Sequence, residues 1–174
     1  MELRSSGKTL IIVRHAHRNK GGGRAIDNGL SSKGHRQARA LAKHLQQKLK
    51  GIEHVFVTSP RKRCIETALV IAERTKMPLR ESVMLLGARE EIESTKEAVV
   101  EQDALKSRVR SFCRNRRRSR DKMTVLCSHG DWIEACVCEL LGVPMELKKA
   151  GYMEIQLKGG EPRLEWLVQS ATDL

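Results

Sequence analysis

The feature that constrains this chain most is the stretch TLIIVRHAHR at residues 9–18, an apolar run that stops abruptly on an arginine and two histidines. Leu10, Ile11, Ile12 and Val13 are continuous rather than alternating and mostly β-branched, which predicts a strand covered on both faces of a parallel sheet. In open α/β sheets ligands bind beyond the carboxyl ends of the strands, so Arg14 and His15 fall where such sheets do chemistry. An arginine and a histidine after a strand also make an ordinary solvated loop start. The rest of the chain decides between the two.

Further strands and helices alternate along the sequence. After the first strand, residues 19–29 form a loop holding Gly21, Gly22 and Gly23, with Arg18, Lys20 and Arg24 around them. Consecutive glycines let backbone amides approach an anion, and they equally make a flexible linker. Ser31 or Ser32 caps a helix running to about Leu49, with Ala38, Leu41, Ala42, Leu45 and Leu49 on one face and Gly51 closing it. Residues 54–58 read as a second strand, followed by a helix with Pro60 in its first turn and Cys64, Ala68, Ile71 and Ala72 facing inward. Arg63 lies early in that helix, where a cation opposes the macrodipole. Residues 82–86 read as a short third strand, and an acidic segment at 90–93 follows. A long helix spans about 96–116, with Ala98, Leu105, Val109 and Phe112 on its core face and an arginine run at its end that reads as a solvated face. Residues 123–127 form a buried strand that ends on Ser128, His129 and Gly130. The next helix turns Trp132, Ala135, Cys136 and Leu140 inward and stops at Gly142 and Pro144. Two strands, 152–157 and 164–169, close the chain as a hairpin.

Composition limits what this pattern can be. A chain of 174 residues suits one α/β domain over 1–174. The net charge of +12 and pI near 9.9 call for an anionic partner. No apolar run approaches the roughly 18 residues of a membrane span, and only a short segment precedes the first strand, so a soluble, cytoplasmic protein is expected. The five cysteines read as reduced core residues. Cys136 and Cys138 lack the C-x-x-C partners of a zinc site, and no metal or cofactor is expected. A Walker loop, with its Gly-Lys-Ser/Thr ending, and a Cys-x5-Arg phosphatase loop are both absent from the sequence.

Arg14 with His15, Arg63, and His129 therefore sit at three separate strand ends. Alternating strands and helices imply right-handed crossovers, a three-layer α/β sandwich and a mostly parallel sheet with helices on both faces, so these ends point the same way. Two imidazoles and two guanidiniums suit a tetrahedral dianion: arginine forks pair with phosphate oxygens, and a neutral imidazole attacks phosphorus in line. Nearby positive charge would hold that imidazole unprotonated.

The ordered blocks resemble the histidine phosphatase superfamily, the phosphoglycerate-mutase-like group. Its opening Arg-His-Gly stands here as Arg14-His15-Ala16. Its Leu-Thr/Ser-x-x-Gly-x-x-Gln-Ala block stands at residues 30–38. Its Ser-x-x-x-Arg-Ala-x-x-Thr-Ala block stands at 59–68 with Cys64 in place of alanine, and its Ser-His-Gly at 128–130. By this resemblance His15 becomes phosphorylated, Arg14 and Arg63 bind the phosphoryl oxygens, His129 completes the pocket, and Ser59 and Thr67 play structural parts. Arg18 is a further candidate phosphate ligand. Glu90 matches the proton donor best, with Glu91 as alternate. The short chain leaves little room for a cap and is most similar to SixA-like phosphohistidine phosphatases. That implies a metal-independent phosphatase acting on phosphorylated small molecules or phosphohistidine-bearing proteins. Two rivals stay open. A basic nucleic-acid-binding protein would explain the charge, although two Trp, one Tyr and two Phe give few stacking platforms. A pseudophosphatase would bind phosphoproteins without turnover.

Overall fold

The structure, a computed structural model of the chain, describes residues 7–22, 26–88, 94–158 and 161–170. Strand β1 (Lys8–Arg14) lies between β4 (Met123–Ser128), parallel to it, and β5 (Tyr152–Lys158), antiparallel to it. Beyond β4 come β2 (Val55–Thr58) and β3 (Leu79–Glu81), both parallel, and beyond β5 comes β6 (Glu161–Val168), antiparallel. The sheet order among the described residues is β3-β2-β4-β1-β5-β6.

Leu10, Ile11, Ile12 and Val13 are all essentially inaccessible, and the two-residue side-chain period of a strand sorts them between two cores. Ile11 and Val13 pack with Leu41, Ala42 and Leu45 of α1 (Ser32–Lys48) and with Ala68 and Ile71 of α2 (Lys62–Thr75). Leu10 and Ile12 pack with Leu105 and Val109 of α3 (Thr95–Arg118) and with Trp132 and Ile133 of α4 (Gly130–Leu141). Each such side chain contributes about 1.5–3 kcal/mol on full burial. One continuous apolar run thus anchors a helical layer on each face. Among the described residues no helix is long and apolar enough to cross a membrane.

The sheet is mostly parallel, as expected: β5 alone runs against the rest, because β6 is antiparallel to β5 and so aligned with β1. Other expectations need correction. Residues 82–86 are not a strand: β3 ends at Glu81, and Val83–Leu85 is a 3₁₀ turn whose Ser82 hydroxyl accepts from the Met84 amide (3.3 Å). Strand pairing loses there because the Met84 and Leu85 carbonyls accept from the Trp132 indole (2.7 Å) and the Ser128 hydroxyl (2.7 Å). Pro60 precedes α2, whose first helical residue is Lys62 and whose cap position, Arg61, supplies no side-chain bond. Helix α3 is longer than expected at both ends, with Ser94 accepting from the Glu97 amide. Its arginine run is not wholly solvated: Arg116 is buried and bonds the Asp121 carboxylate (3.0 Å) and carbonyl (2.8 Å). Ala98 is only partly covered on the core face. Four cysteines are buried, but Cys138 is exposed.

Helix α1 begins where Ser31 Oγ accepts from the Gly34 amide (3.1 Å), as the sequence predicts. A side chain at Gly34 would be driven into the His17 carbonyl, so this glycine sets how closely α1 approaches the end of β1. Gly34→Ala is expected to cost about 1–3 kcal/mol through overpacking. A lower urea midpoint with unchanged slope would show it, and an unchanged midpoint would contradict it.

Candidate active site

The pairing of β1 with β4 sets the Arg14 position beside Ser128. The next residue on each strand is then a histidine, and the His15 amide donates to the Ser128 carbonyl (3.1 Å). The two rings meet edge to face with centroids 5.5 Å apart and planes at 61°. Strand β2 neighbours β4 up to Thr58↔Cys127, so the start of α2 brings Arg63 in from the other side. Its Nη2 donates to His129 Nδ1 at 3.2 Å. Arg14 crosses in front of α4, where a Cβ on Gly130 would lie 2.8 Å from its Cζ. Its Nη1 donates to the Leu147 carbonyl (2.6 Å) and stands 3.7 Å from Glu146, while its buried Nε has no partner among the described residues. Arg14, His15, Arg61, Arg63 and His129 line an open cavity of about 280 Å³ with Gly87, Ala88, Gly130 and Asp131.

Hydrogen-bond partners determine where the ring protons sit. A carbonyl only accepts, so the contact of His15 Nδ1 with the Ala16 carbonyl (2.8 Å) puts the proton on Nδ1 and a lone pair on Nε2. A guanidinium only donates, so His129 Nδ1 accepts from Arg63 and its Nε2 donates to Ser59 Oγ (2.8 Å). Burial pushes the His15 pKa down to about 3, with Arg63, Arg14 and Lys149 adding to the effect against the Ala16 hydrogen bond. His129 is held well below the usual range, first by burial and then by His15, Arg63, Arg61 and Arg14. The direction agrees with the sequence reading, but desolvation outweighs the neighbouring charge.

Supporting contacts tie the strand ends together. Thr67 Oγ1 accepts from the Ala16 amide (3.0 Å) and donates to the Arg63 carbonyl (2.7 Å). Ala16 itself has no left-handed backbone, and its methyl group is buried in the core. The departure from glycine at this position therefore costs no strain. Asp131 accepts from the Ala88 amide (2.5 Å) and the Trp132 amide (2.8 Å), fastening the 86–88 loop to α4.

Arg14, His15, Arg63 and His129 are thus brought together. Arg18 is not among the residues lining the cavity, and its backbone forms a bridge with Leu30 instead. Glu90, Glu91 and residues 23–25 of the glycine loop lie outside the described residues. In the described part of that loop, the Gly21 amide donates to Asn19 Oδ1 (3.0 Å), and the Gly21 carbonyl accepts from Asn28 Nδ2. Those groups are engaged locally rather than lining the cavity.

Several residues at or near the pocket carried no sequence signal. Asp27, in a polar loop without periodicity, accepts from the Arg63 amide (3.3 Å) and stands 3.6 Å from Arg63 Nη1. Cys64, by contrast, is marked by the sequence as an inward-facing member of the 59–68 block, and its Sγ lies 3.6 Å from His129 Nε2. Arg61, Asp131 and Lys149 were also missed. The arginine inside a recognised block was the one signal that could have marked Arg61. Among the described residues no group of three His, Cys, Asp or Glu is gathered for a metal ion.

Fold and pocket together define an α/β protein whose open cavity gathers two neutral imidazoles and three guanidiniums, an arrangement suited to a tetrahedral anion. Residues 10–86 match the model of the histidine phosphatase superfamily (branch 1), which the chain resembles. It is 28% identical to a Hydrogenobacter thermophilus protein provisionally named phosphoserine phosphatase 2, over 92% of this chain and 95% of that protein. The fold is similar to that of mycobacterial glucosyl-3-phosphoglycerate phosphatase (TM-score 0.71, 22% identity, 94% of this chain and 99% of that one). It is also similar to a mutant phosphoserine phosphatase from Entamoeba histolytica in complex with phosphoserine (TM-score 0.71, 19% identity, 96% of this chain and 99% of that one).

Two desolvated neutral histidines have a measurable consequence. The depressed His15 pKa means that the unfolded chain binds a proton that the folded chain refuses, between the ordinary 6.5 and about 3. Stability is unaffected by this group above that window and falls as pH drops through it, by about 2 kcal/mol for His15 at pH 5. NMR resonances of both rings are expected to stay constant from pH 8 to pH 5. A titration midpoint for either ring near 6.5 would contradict the electrostatics.

Proposed function

We propose that this chain is a phosphatase that hydrolyses phosphomonoesters of small molecules through a phosphohistidine intermediate on His15. The observation that carries the reading is the His15 ring itself, with Nδ1–H fastened to the Ala16 carbonyl and a lone pair left on Nε2 beside an arginine-lined pocket. Nucleophilic catalysis needs an unprotonated, oriented nucleophile. This ring is both without having to shed a proton at neutral pH.

In the proposed reaction Arg14 and Arg63, with Arg61 at the rim, hold the non-bridging phosphoryl oxygens, where charge-assisted bonds are strongest. His15 Nε2 attacks phosphorus in line, the P–N bond forms, and the bond to the leaving oxygen breaks. That oxygen takes a proton from a general acid. Water then attacks the phosphohistidine, its proton passes back to the same acid's conjugate base, the P–N bond breaks, and phosphate leaves. His129 keeps Arg63 Nη2 in place through Nδ1 and is itself held by Ser59. The guanidiniums supply the positive charge, so the scheme needs no metal. We assign the proton to Glu90, with Glu91 as alternate. Ala88 lines the pocket, and two residues of chain reach at most about 7 Å.

The substrate assignment rests on the likeness to a protein named for phosphoserine hydrolysis. A phosphohistidine-bearing protein is the competing substrate, because the pocket is open and lacks a covering domain among the described residues. A comparison of kcat/KM for phosphoserine, sugar phosphates and a phosphohistidine protein ranks the two. A clear preference for the phosphoprotein would overturn the small-molecule assignment.

His15→Ala is expected to lower turnover of p-nitrophenyl phosphate by about 10³-fold or more, the usual scale for loss of a nucleophile. Arg63→Met should cost about 10²–10³-fold, as for loss of one donor to a developing charge. Glu90→Gln should slow alkyl phosphates about 10²-fold while sparing the aryl ester, whose good leaving group needs little protonation. Unchanged rates for His15→Ala would exclude the mechanism.

A further inference from the structure

The arginine run that closes α3 has no part in the phosphoryl pocket, and the ladder that builds the pocket also fixes where the run sits. Lys122 precedes β4 and His129 follows it, so the two lie about 20 Å apart along the strand. The Thr9 amide donates to the Lys122 carbonyl (2.7 Å), and Lys8 Nζ donates to the Arg117 carbonyl. The start of β1, the start of β4 and the end of α3 therefore meet at the end of the sheet opposite the imidazoles.

Carboxylates that could neutralise this corner are few and already engaged. Between Asp103 and Asp131 the one acidic residue is Asp121. Its Oδ2 accepts from Arg116 Nη1 (3.0 Å) and from Ser119 Oγ (2.6 Å), and Ser119 Oγ in turn accepts from the Asp121 amide (3.2 Å). Arg116 is buried there, whereas Arg114, Arg117, Arg118, Arg120 and Lys122 are exposed. Further up the helix Arg110 stands 3.5 Å from Glu139, and Arg108 stands 3.5 Å from Glu101. Among the described residues no carboxylate comes within ion-pair distance of Arg114, Arg117, Arg118, Arg120 or Lys122.

A helix C-terminus favours cations in its last turn, which accounts for Arg116, Arg117 and Arg118. That effect does not extend to Arg120 and Lys122 beyond the helix, or to Lys8 brought in from β1. Arg114 and Arg118 are four residues apart, a like-charge spacing that weakens a helix. A fixed array of unneutralised cations suits a row of phosphates, whose oxygens guanidinium forks match. Residues 114–122 contain no apolar or aromatic side chain. The array thus lacks the apolar anchor that holds a soluble protein on a lipid surface, the buried anchors of a protein interface and the stacking platforms that capture single strands.

We propose that Arg117, Arg118, Arg120 and Lys122, flanked by Lys8 and Arg114, form a docking surface for the phosphate backbone of a double-stranded nucleic acid. The contact reads charge and not sequence, and it leaves the phosphoryl pocket open at the other end of the sheet.

Fluorescence anisotropy with a labelled random-sequence DNA duplex tests this on the whole chain. Raising salt from about 50 to about 200 mM is expected to weaken binding about 10²-fold or more, the dependence that four or five phosphate contacts produce. The triple variant Arg117→Gln, Arg118→Gln, Arg120→Gln should bind at least about tenfold more weakly at low salt, with a salt slope shallower by about 3. A matched variant at exposed cations of the opposite helical layer, Arg39→Gln, Lys43→Gln, Lys50→Gln, removes as much charge and should bind as the wild type does. Turnover of p-nitrophenyl phosphate should change less than threefold in both variants and in saturating duplex. No binding at the lower salt, or equal weakening in the two triple variants, would overturn the surface. Inhibition of turnover by the duplex would overturn it too, placing the duplex in the phosphoryl pocket. Tighter binding to a single strand than to the duplex, or capture by phosphatidylserine vesicles without duplex binding, would assign the array to another ligand and likewise overturn the proposal.

Discussion

The parallel ladder between β1 and β4, in register from Thr9↔Met123 to Arg14↔Ser128, is the contact on which the remaining geometry hangs. Because both strands stop at the same level, each delivers its following histidine to the same point, and the rings meet at 5.5 Å. A shift of one position along this ladder would turn successive side chains to opposite faces and separate the imidazoles. The ladder holds because β1 is apolar toward both helical layers. The same four residues that make the core therefore also set the site.

Holding so much positive charge at a buried point is costly, and the surrounding contacts show how the cost is met. Arg63 has Asp27, Arg14 has the Leu147 carbonyl with Glu146 beside it, and neither imidazole carries a proton charge. Neutral rings between cations avoid the repulsion that an imidazolium would meet there. In the proposed reaction it is the phosphate dianion that supplies the missing negative charge. The pocket is preorganised for it, which is the arrangement that favours developing charge in a transition state.

Much of this could be read from the chain alone, for local reasons. The apolar run of β1, the serine cap of α1 and the inward faces of α1 and α2 all depend on residues close in sequence. The histidines and arginines at strand ends follow from them, once the strands are taken as parallel. What escaped was non-local. The third strand was misplaced because the Met84 and Leu85 carbonyls are claimed by Trp132 and Ser128, which lie far along the chain. Asp27 has no periodicity to mark it, and the burial of Arg116 depends on a turn that returns Asp121 to it. The direction of β5 mattered most, since an antiparallel strand puts its beginning rather than its end at the site. That is why Lys149 could not be foreseen.

The central claim is that His15 Nε2 carries the phosphoryl group for part of each cycle. Rapid quench into alkali during turnover of a phosphorus-labelled aryl phosphate, followed by peptide mapping, measures this directly. The account predicts acid-labile, alkali-stable phosphate on His15 that appears within the first turnover. Steady hydrolysis with no covalent label, or label on His129 instead, would contradict it.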